Sequence, residues 1–162
     1  KDSIAALNFA YKNIYQKEKS EKFIIYGQSL GGIISMRSIF DWDYKNKIDL
    51  MVMDSTFSSY QDIAFDKLKS SWATILISPL AYIIVNNSTS PKVYLNKLSP
   101  TSLLVIHGSH DNVVPYKFGQ EIYKLSNTTK TLWSIQNGKH MQIYMPPFKK
   151  YRQKLIKFIE KI

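Results

Sequence analysis

The sequence has no cysteine. That excludes disulfides, thiol nucleophiles and cysteine-ligated metals, while leaving the compartment open, because such a chain persists in oxidising and reducing surroundings alike. Acidic residues are scarce as well: 12 Asp and Glu stand against 22 Lys and Arg, a formal net charge of +10. A basic field attracts polyanions. Here the lysines are dispersed (Lys12, Lys17, Lys19, Lys22, Lys45, Lys47, Lys67, Lys69), the densest group falls near the carboxyl terminus, and no nucleic-acid-binding motif accompanies them. The expectation is no nucleic-acid partner; a peripheral attraction to anionic lipid remains open. Long apolar runs are lacking too. The longest, Trp72 to Val85, is interrupted by Ser78 and Pro79 and falls short of a bilayer span. No signal-peptide pattern opens the chain, which starts at Lys1 directly in a helical pattern. Earlier residues, and any anchor, are expected to precede it; localisation stays open between cytoplasmic and membrane-associated.

What is present is an ordinary globular composition, with 44% hydrophobic residues in 162, enough for one domain with a real core. Hydrophobic periodicity predicts a helix over Asp2–Lys19, with Ile4, Leu7, Tyr11 and Ile14 on one face, then a strand over Lys22–Tyr26 and a helix over Gly31–Phe40. A buried strand is expected over Ile48–Met53, a mixed helical insert from Thr56 to about Pro100, and a strand over Ser102–His107. A helix over Pro115–Leu125, a strand over Thr131–Ile135 and a helix over Pro146–Ile162 complete the pattern. No repeat or linker interrupts it. Strands alternating with helices imply a mostly parallel sheet covered on both faces, in one α/β domain.

Three loops carry chemistry. Gly27-Gln28-Ser29-Leu30-Gly31, followed by Gly32, sits between a strand and a helix. A serine at such a turn has its hydroxyl lifted above the sheet, the flanking glycines allow strand and helix to pass closely, and the Leu30 amide faces a developing oxyanion. The competing reading is a glycine-rich turn whose serine caps the helix. His107-Gly108-Ser109-His110-Asp111-Asn112-Val113-Val114-Pro115 follows the next-but-one strand, placing Asp111 at a carboxyl edge, where it can orient an imidazole or serve as an Asx-turn residue. Gly138-Lys139-His140 follows the last strand. The order Ser29, Asp111, His140 is that of a nucleophile, an acid and a base on one sheet edge. Asp54, at the end of its own strand, is the rival acid. His107 is read as structural and His110 as exposed. A metal site at His107, His110 and Asp111 is disfavoured by Gly108 and the lack of further ligands, so neither metal nor cofactor is expected.

At these residues the sequence resembles the α/β-hydrolase superfamily, and within it the serine-aminopeptidase-like branch that includes the membrane-associated bud-emergence type. The resemblance runs over Tyr26–Gly32, Asp54–Phe57, His107–Pro115 and Gly138–His140. It implies the α/β-hydrolase fold and a serine hydrolase with Ser29 as nucleophile, His140 as base and Asp111 as acid, acting on a small-molecule acyl substrate. The family's amino-terminal strands have no counterpart here, nor does the loop that donates the second oxyanion amide. The chain is therefore expected to be part of a longer protein, with Lys22–Tyr26 at an open apolar edge. The resemblance makes 56–100 a cap or lid. Its Trp72, Ile75, Leu76, Ile77, Leu80, Tyr82, Ile83 and Ile84 are expected to pack onto the core, to line an acyl pocket (Trp72, Leu76 and Leu80, with Gln28), or to touch a membrane. An esterase or lipase-like activity is the first functional reading. A peptidase of the same fold, and a silent binding or membrane-docking module, are the others.

Overall fold

The computed structural model describes residues 2–98 and 101–162. Lys1 and the last two positions of the expected insert, Ser99 and Pro100, lie outside the described residues.

Four strands form one parallel sheet in the order β1 (Ile24–Gln28), β2 (Leu50–Asp54), β3 (Ser102–Gly108), β4 (Lys130–Ile135). Side chains alternate across the pleat. Met51, Met53, Leu103 and Val105 point into one core with Ile33, Met36, Ile39, Phe118 and Ile122 from the helices α2 (Leu30–Asp41) and α5 (Tyr116–Leu125). Leu50, Val52, Leu104 and Ile106 point into the other, with Trp133, Ile135 and Leu155 of α6 (Lys149–Glu160). The central strands are apolar except toward their ends (Asp54, Ser102 and His107), because both faces are covered.

The register sets the site. Gln28 pairs with Asp54, Asp54 with Ile106, and Gly108 with Ile135, so all four strands end together at one carboxyl edge. The loops that begin with Ser29, Ser55, Ser109 and Gln136 leave from that edge. The opposite margin also matters: among the described residues β1 pairs on one side only. An apolar groove of about 430 Å³, lined by Leu7, Ala10, Ile25, Ile34 and Ile39, lies beside it. The expected open edge is thus present in this chain.

Several boundaries differ from expectation, each for a local reason. The first helix is α-helical only over α1 (Asp2–Phe9); Ala10–Tyr15 widens into a π-helical turn, closed by Gln16 N–H on Tyr11 O. Tyr11 there stacks against Tyr44 and packs edge-on to Trp42, an aromatic cluster that overrides the regular repeat. The last helix starts at Lys149 rather than Pro146, because consecutive prolines withdraw two amides and bias the residues before them to extended backbone. The insert contains α3 (Tyr60–Lys69), a 3₁₀ segment Ile75–Leu80, α4 (Ala81–Ile84) and a second 3₁₀ segment Pro91–Lys97.

Packing of the insert's large apolar residues onto the core is overturned. Trp72 and Leu76 are each 92% exposed, Ile83 80% and Ile84 74%. The small residues Ser78 and Ala81 take the inward positions instead. Among the described residues, no helix is long and apolar enough to cross a membrane.

Candidate active site

Ser29 sits on the turn between β1 and α2 with φ 49° and ψ −123°, a conformation L-residues adopt only under constraint. The constraint is visible. Ser29 N–H donates to Asp54 O at 2.9 Å, and Ser29 O accepts from Thr56 Oγ1 at 2.5 Å and from Gly32 N–H at 3.0 Å. The crossing of strand and helix is as tight as expected, but the partner of Gly27 is Gly32: a Cβ on Gly27 would lie 2.7 Å from Gly32 Cα, while one on Gly31 would meet nothing within 4 Å. Although Ser29 occupies the N-cap position, its side chain makes no cap bond. The hydroxyl Oγ instead lies 3.0 Å from His140 Nε2. The helix-cap reading of this serine is thereby removed.

The chain of contacts continues. His140 Nδ1 lies 2.8 Å from Asp111 Oδ2. A proton on Nδ1 donates to that carboxylate and leaves Nε2 free to accept from Ser29. Asp111 satisfies both sequence readings at once, with different oxygens. Its Oδ1 accepts from Val113 N–H (2.9 Å) and Val114 N–H (2.8 Å), an Asx-type turn, while Oδ2 is left to the imidazole. The Asp111 side chain is fully buried and that of His140 13% exposed. Low exposure around a charged acceptor strengthens its hold on the ring.

The His140 loop is tied to its neighbours at several points. Gly138 O accepts from His110 N–H at 2.9 Å, Ser109 Oγ accepts from Asn137 N–H at 2.9 Å, and Ser55 Oγ accepts from Met141 N–H at 3.1 Å. Asn137 and Met141 both have positive φ, 58° and 53°, which turns the loop back over the sheet.

Asp54 has other work. Its Oδ2 accepts from Tyr26 Oη (2.8 Å) and Gln28 Nε2 (2.9 Å), and Oδ1 from Ser55 Oγ (3.0 Å). Burial and the adjacent Asp54 carboxylate push the Tyr26 phenol far up, so it stays a neutral donor. Gln28 is thus engaged with Asp54 within the protein. The Ser55 hydroxyl, which donates to Asp54 and accepts from Met141, links this network to the His140 loop.

The structure therefore brings Ser29, Asp111, His140 and the first amide of α2, Leu30, to one edge, the last being one of the donors a helix start leaves without an intrahelical acceptor. It does not place Trp72, Leu76 or Leu80 as the walls of an enclosed acyl pocket: they are 92%, 92% and 42% exposed. Ser55, Thr56 and Tyr26 are contributions that sequence reasoning missed, and Gln28, expected at the acyl pocket, holds Asp54 instead. The Tyr26–Gly32 and Asp54–Phe57 matches were the signals for them, and they carried no such roles.

His107 lies inside β3, fully buried, with Nε2 2.8 Å from Val114 O and 3.5 Å from Asp111 Oδ2. Burial is the largest influence on it and pushes its pKa below the ordinary 6.5, against the upward pull of the Val114 carbonyl and Asp111. The sign follows directly. The unfolded chain takes up a proton near 6.5 that the folded chain refuses, so this contribution to stability is full above that pH. It is lost as pH falls from there toward the lowered value. Melting curves between about pH 7.5 and about pH 5.5 should show stability falling, with a shallower fall in His107→Gln. An equal slope in the variant would contradict the assignment. His110 is exposed, and among the described residues no group of His, Asp or Glu is placed to hold a metal.

No family model matches the chain. It is 30% identical over 140 residues to the uncharacterized protein YfhR of Escherichia coli O157:H7, covering 86% of this chain and 45% of that one. It is 27% identical over 149 residues to YfhR of Salmonella typhi, covering 86% and 48%. The chain thus spans about half the length of these curated relatives. Among solved structures, an esterase of Pyrococcus furiosus superposes with a TM-score of 0.70 at 20% identity, over 99% of this chain and 60% of that one. The chain has the α/β-hydrolase fold. An α/β-hydrolase from a sediment metagenome of the Mar Chica lagoon matches at TM-score 0.65 and 19% identity (98% and 70% covered). A monoacylglycerol lipase of Paleococcus ferrophilus matches at 0.63 and 14% (96% and 74%). Each neighbour is longer than this chain, as the YfhR relatives are.

Proposed function

We propose that this α/β-hydrolase chain carries the catalytic residues of a serine hydrolase acting on a carboxylic ester. The observation that carries the reading is the continuous run from Ser29 Oγ through the His140 ring to Asp111, at 3.0 and 2.8 Å. Geometry of this kind activates a hydroxyl that is otherwise a weak nucleophile.

His140 Nε2 takes the Ser29 proton as Oγ attacks the substrate carbonyl carbon. The negative charge that develops on the carbonyl oxygen is met by the Leu30 amide and the amino-terminal dipole of α2. Asp111 stabilises the imidazolium so formed without itself taking the proton. His140 then gives that proton to the leaving alcohol, which departs and leaves an acyl group on Ser29. Water, deprotonated in turn by His140, attacks the acyl carbon, releases the acid and restores Ser29. The segment after β2, which rises from the edge bearing Ser29, is proposed as the cap over this site. A second oxyanion donor is proposed from residues outside this chain, at the place the family resemblance assigns to it.

Esterase chemistry is preferred to peptidase chemistry because fold neighbours of this kind include esterases and a lipase. The test uses the complete natural protein with p-nitrophenyl esters of graded acyl length. Turnover well above the buffer rate, with a preferred chain length, is expected. Background rates across the ester series, with cleavage of amide-linked p-nitroanilides instead, would overturn the ester reading.

A further inference from the structure

The segment from Ser71 to Val85 reverses the usual rule of burial. Its small residues, Ser78 at 4% and Ala81 at 2% exposed, face the protein, while Trp72, Leu76, Ile83 and Ile84 stand in water at 74–92% exposure. Single exposed apolar residues are common, but a cluster of this size on one short segment marks a surface that meets something apolar. The segment is also held in shape. Thr74 Oγ1 donates to Leu68 O at 2.7 Å, Ser78 Oγ donates to Ile75 O at 2.8 Å, and Gln61 Nε2 donates to Tyr82 O and Val85 O at 2.9 and 3.0 Å. The apolar side chains are thus presented by a braced backbone.

Charge names the partner. From Lys67 to His110 the sequence contains no Asp or Glu, while Lys67, Lys69 and Lys97 are exposed there. The nearest acids on α3 are already neutralised: Asp62 by Lys92 at 2.7 Å and Asp66 by Lys117. An apolar cluster bordered by unopposed lysines matches a bilayer with anionic headgroups, where Trp settles at the interface and Lys meets phosphate. We propose that residues 71–85 dock this protein on an anionic lipid surface, with Trp72, Leu76, Ile83 and Ile84 entering the acyl boundary and Lys67 and Lys69 facing the headgroups. The insert that carries this segment leaves β2 at the edge that bears Ser29, and at the end of α3, just before the segment, Lys67 Nζ donates to Asn112 O at 2.9 Å, beside Asp111. Docking thus brings the Ser29 edge to the lipid boundary.

Trp72 is a built-in reporter. Of this chain's three tryptophans, Trp42 and Trp133 are 1% and 6% exposed, so among these Trp72 alone meets solvent freely. The experiment adds phosphatidylcholine vesicles, with or without phosphatidylglycerol, to the complete protein and records tryptophan emission and co-sedimentation. The expected result is a blue shift and sedimentation with the phosphatidylglycerol-containing vesicles only, weakened by salt. Trp72→Phe should abolish the shift while still sedimenting, and Leu76→Ser with Ile83→Ser should weaken binding about tenfold or more. Their exposure makes both variants compatible with folding, checked by an unchanged melting temperature. No shift with anionic vesicles, or an equal response to neutral ones, would overturn the proposal. So would a blue shift that grows with protein concentration in the absence of lipid, which assigns the surface to a second copy of the chain.

Discussion

Replacing Ser29 by alanine is expected to lower ester turnover by about four to six orders of magnitude, to a residue of catalysis supplied by binding and the oxyanion donor alone. The size of the loss follows from the geometry. Ser29 Oγ is the atom 3.0 Å from His140 Nε2, and alanine leaves the imidazole with nothing to deprotonate but water. Stability should barely move. The hydroxyl makes no cap bond to α2, and the turn is held by the Ser29 backbone, through Asp54 O, Thr56 Oγ1 and Gly32 N–H, none of which involves the side chain. The two readouts therefore separate: a large fall in kcat with an unchanged melting temperature. His140→Ala should match the loss in kcat, and the double variant should be no worse than either, because the groups act as a unit.

The second large effect separates two carboxylates that sequence reasoning left in competition. Asp111→Asn is expected to lower kcat by about ten-thousandfold. An amide at Oδ2 either presents its NH₂ to His140 or reverses the ring's tautomer, and Nε2 can then no longer accept from Ser29. Asp54→Asn should cost less than about tenfold. Its carboxylate takes hydrogen bonds from Tyr26, Gln28 and Ser55 and has none with His140, so its loss loosens the loop without changing the ring's proton. Steady-state kinetics on the two variants decides it. Equal losses, or a larger one at Asp54, would reassign the acid.

The loops bearing Ser29, Asp111 and His140 were legible because each follows a strand and the strands end in register; no knowledge of side-chain packing was needed to place them on one edge. Their supports were not legible. Ser55, Thr56 and Met141 meet the site only through the fold, 27 and 86 residues apart along the chain in the bonds Thr56–Ser29 and Met141–Ser55. No short pattern encodes such pairings. The double role of Asp111, one oxygen to a turn and one to a histidine, likewise depends on three-dimensional placement. Periodicity failed in a different way at residues 71–85. An apolar pattern reports that side chains avoid water, and it does not say whether they avoid it inside the protein or against something else. At Ala10–Tyr15 it failed because a π-helical turn shifts the repeat without changing the residues that favour a helix.

The most direct measurement is labelling of the complete, folded protein with a fluorophosphonate probe, followed by peptide mapping. Such a probe reacts with a serine whose proton can be removed, and so reads the activated hydroxyl rather than any particular substrate. A single adduct on Ser29, lost in His140→Ala and strongly slowed in Asp111→Asn, is the expected result. An adduct on another residue, labelling of Ser29 that persists without His140, or silence of the folded protein would contradict the account.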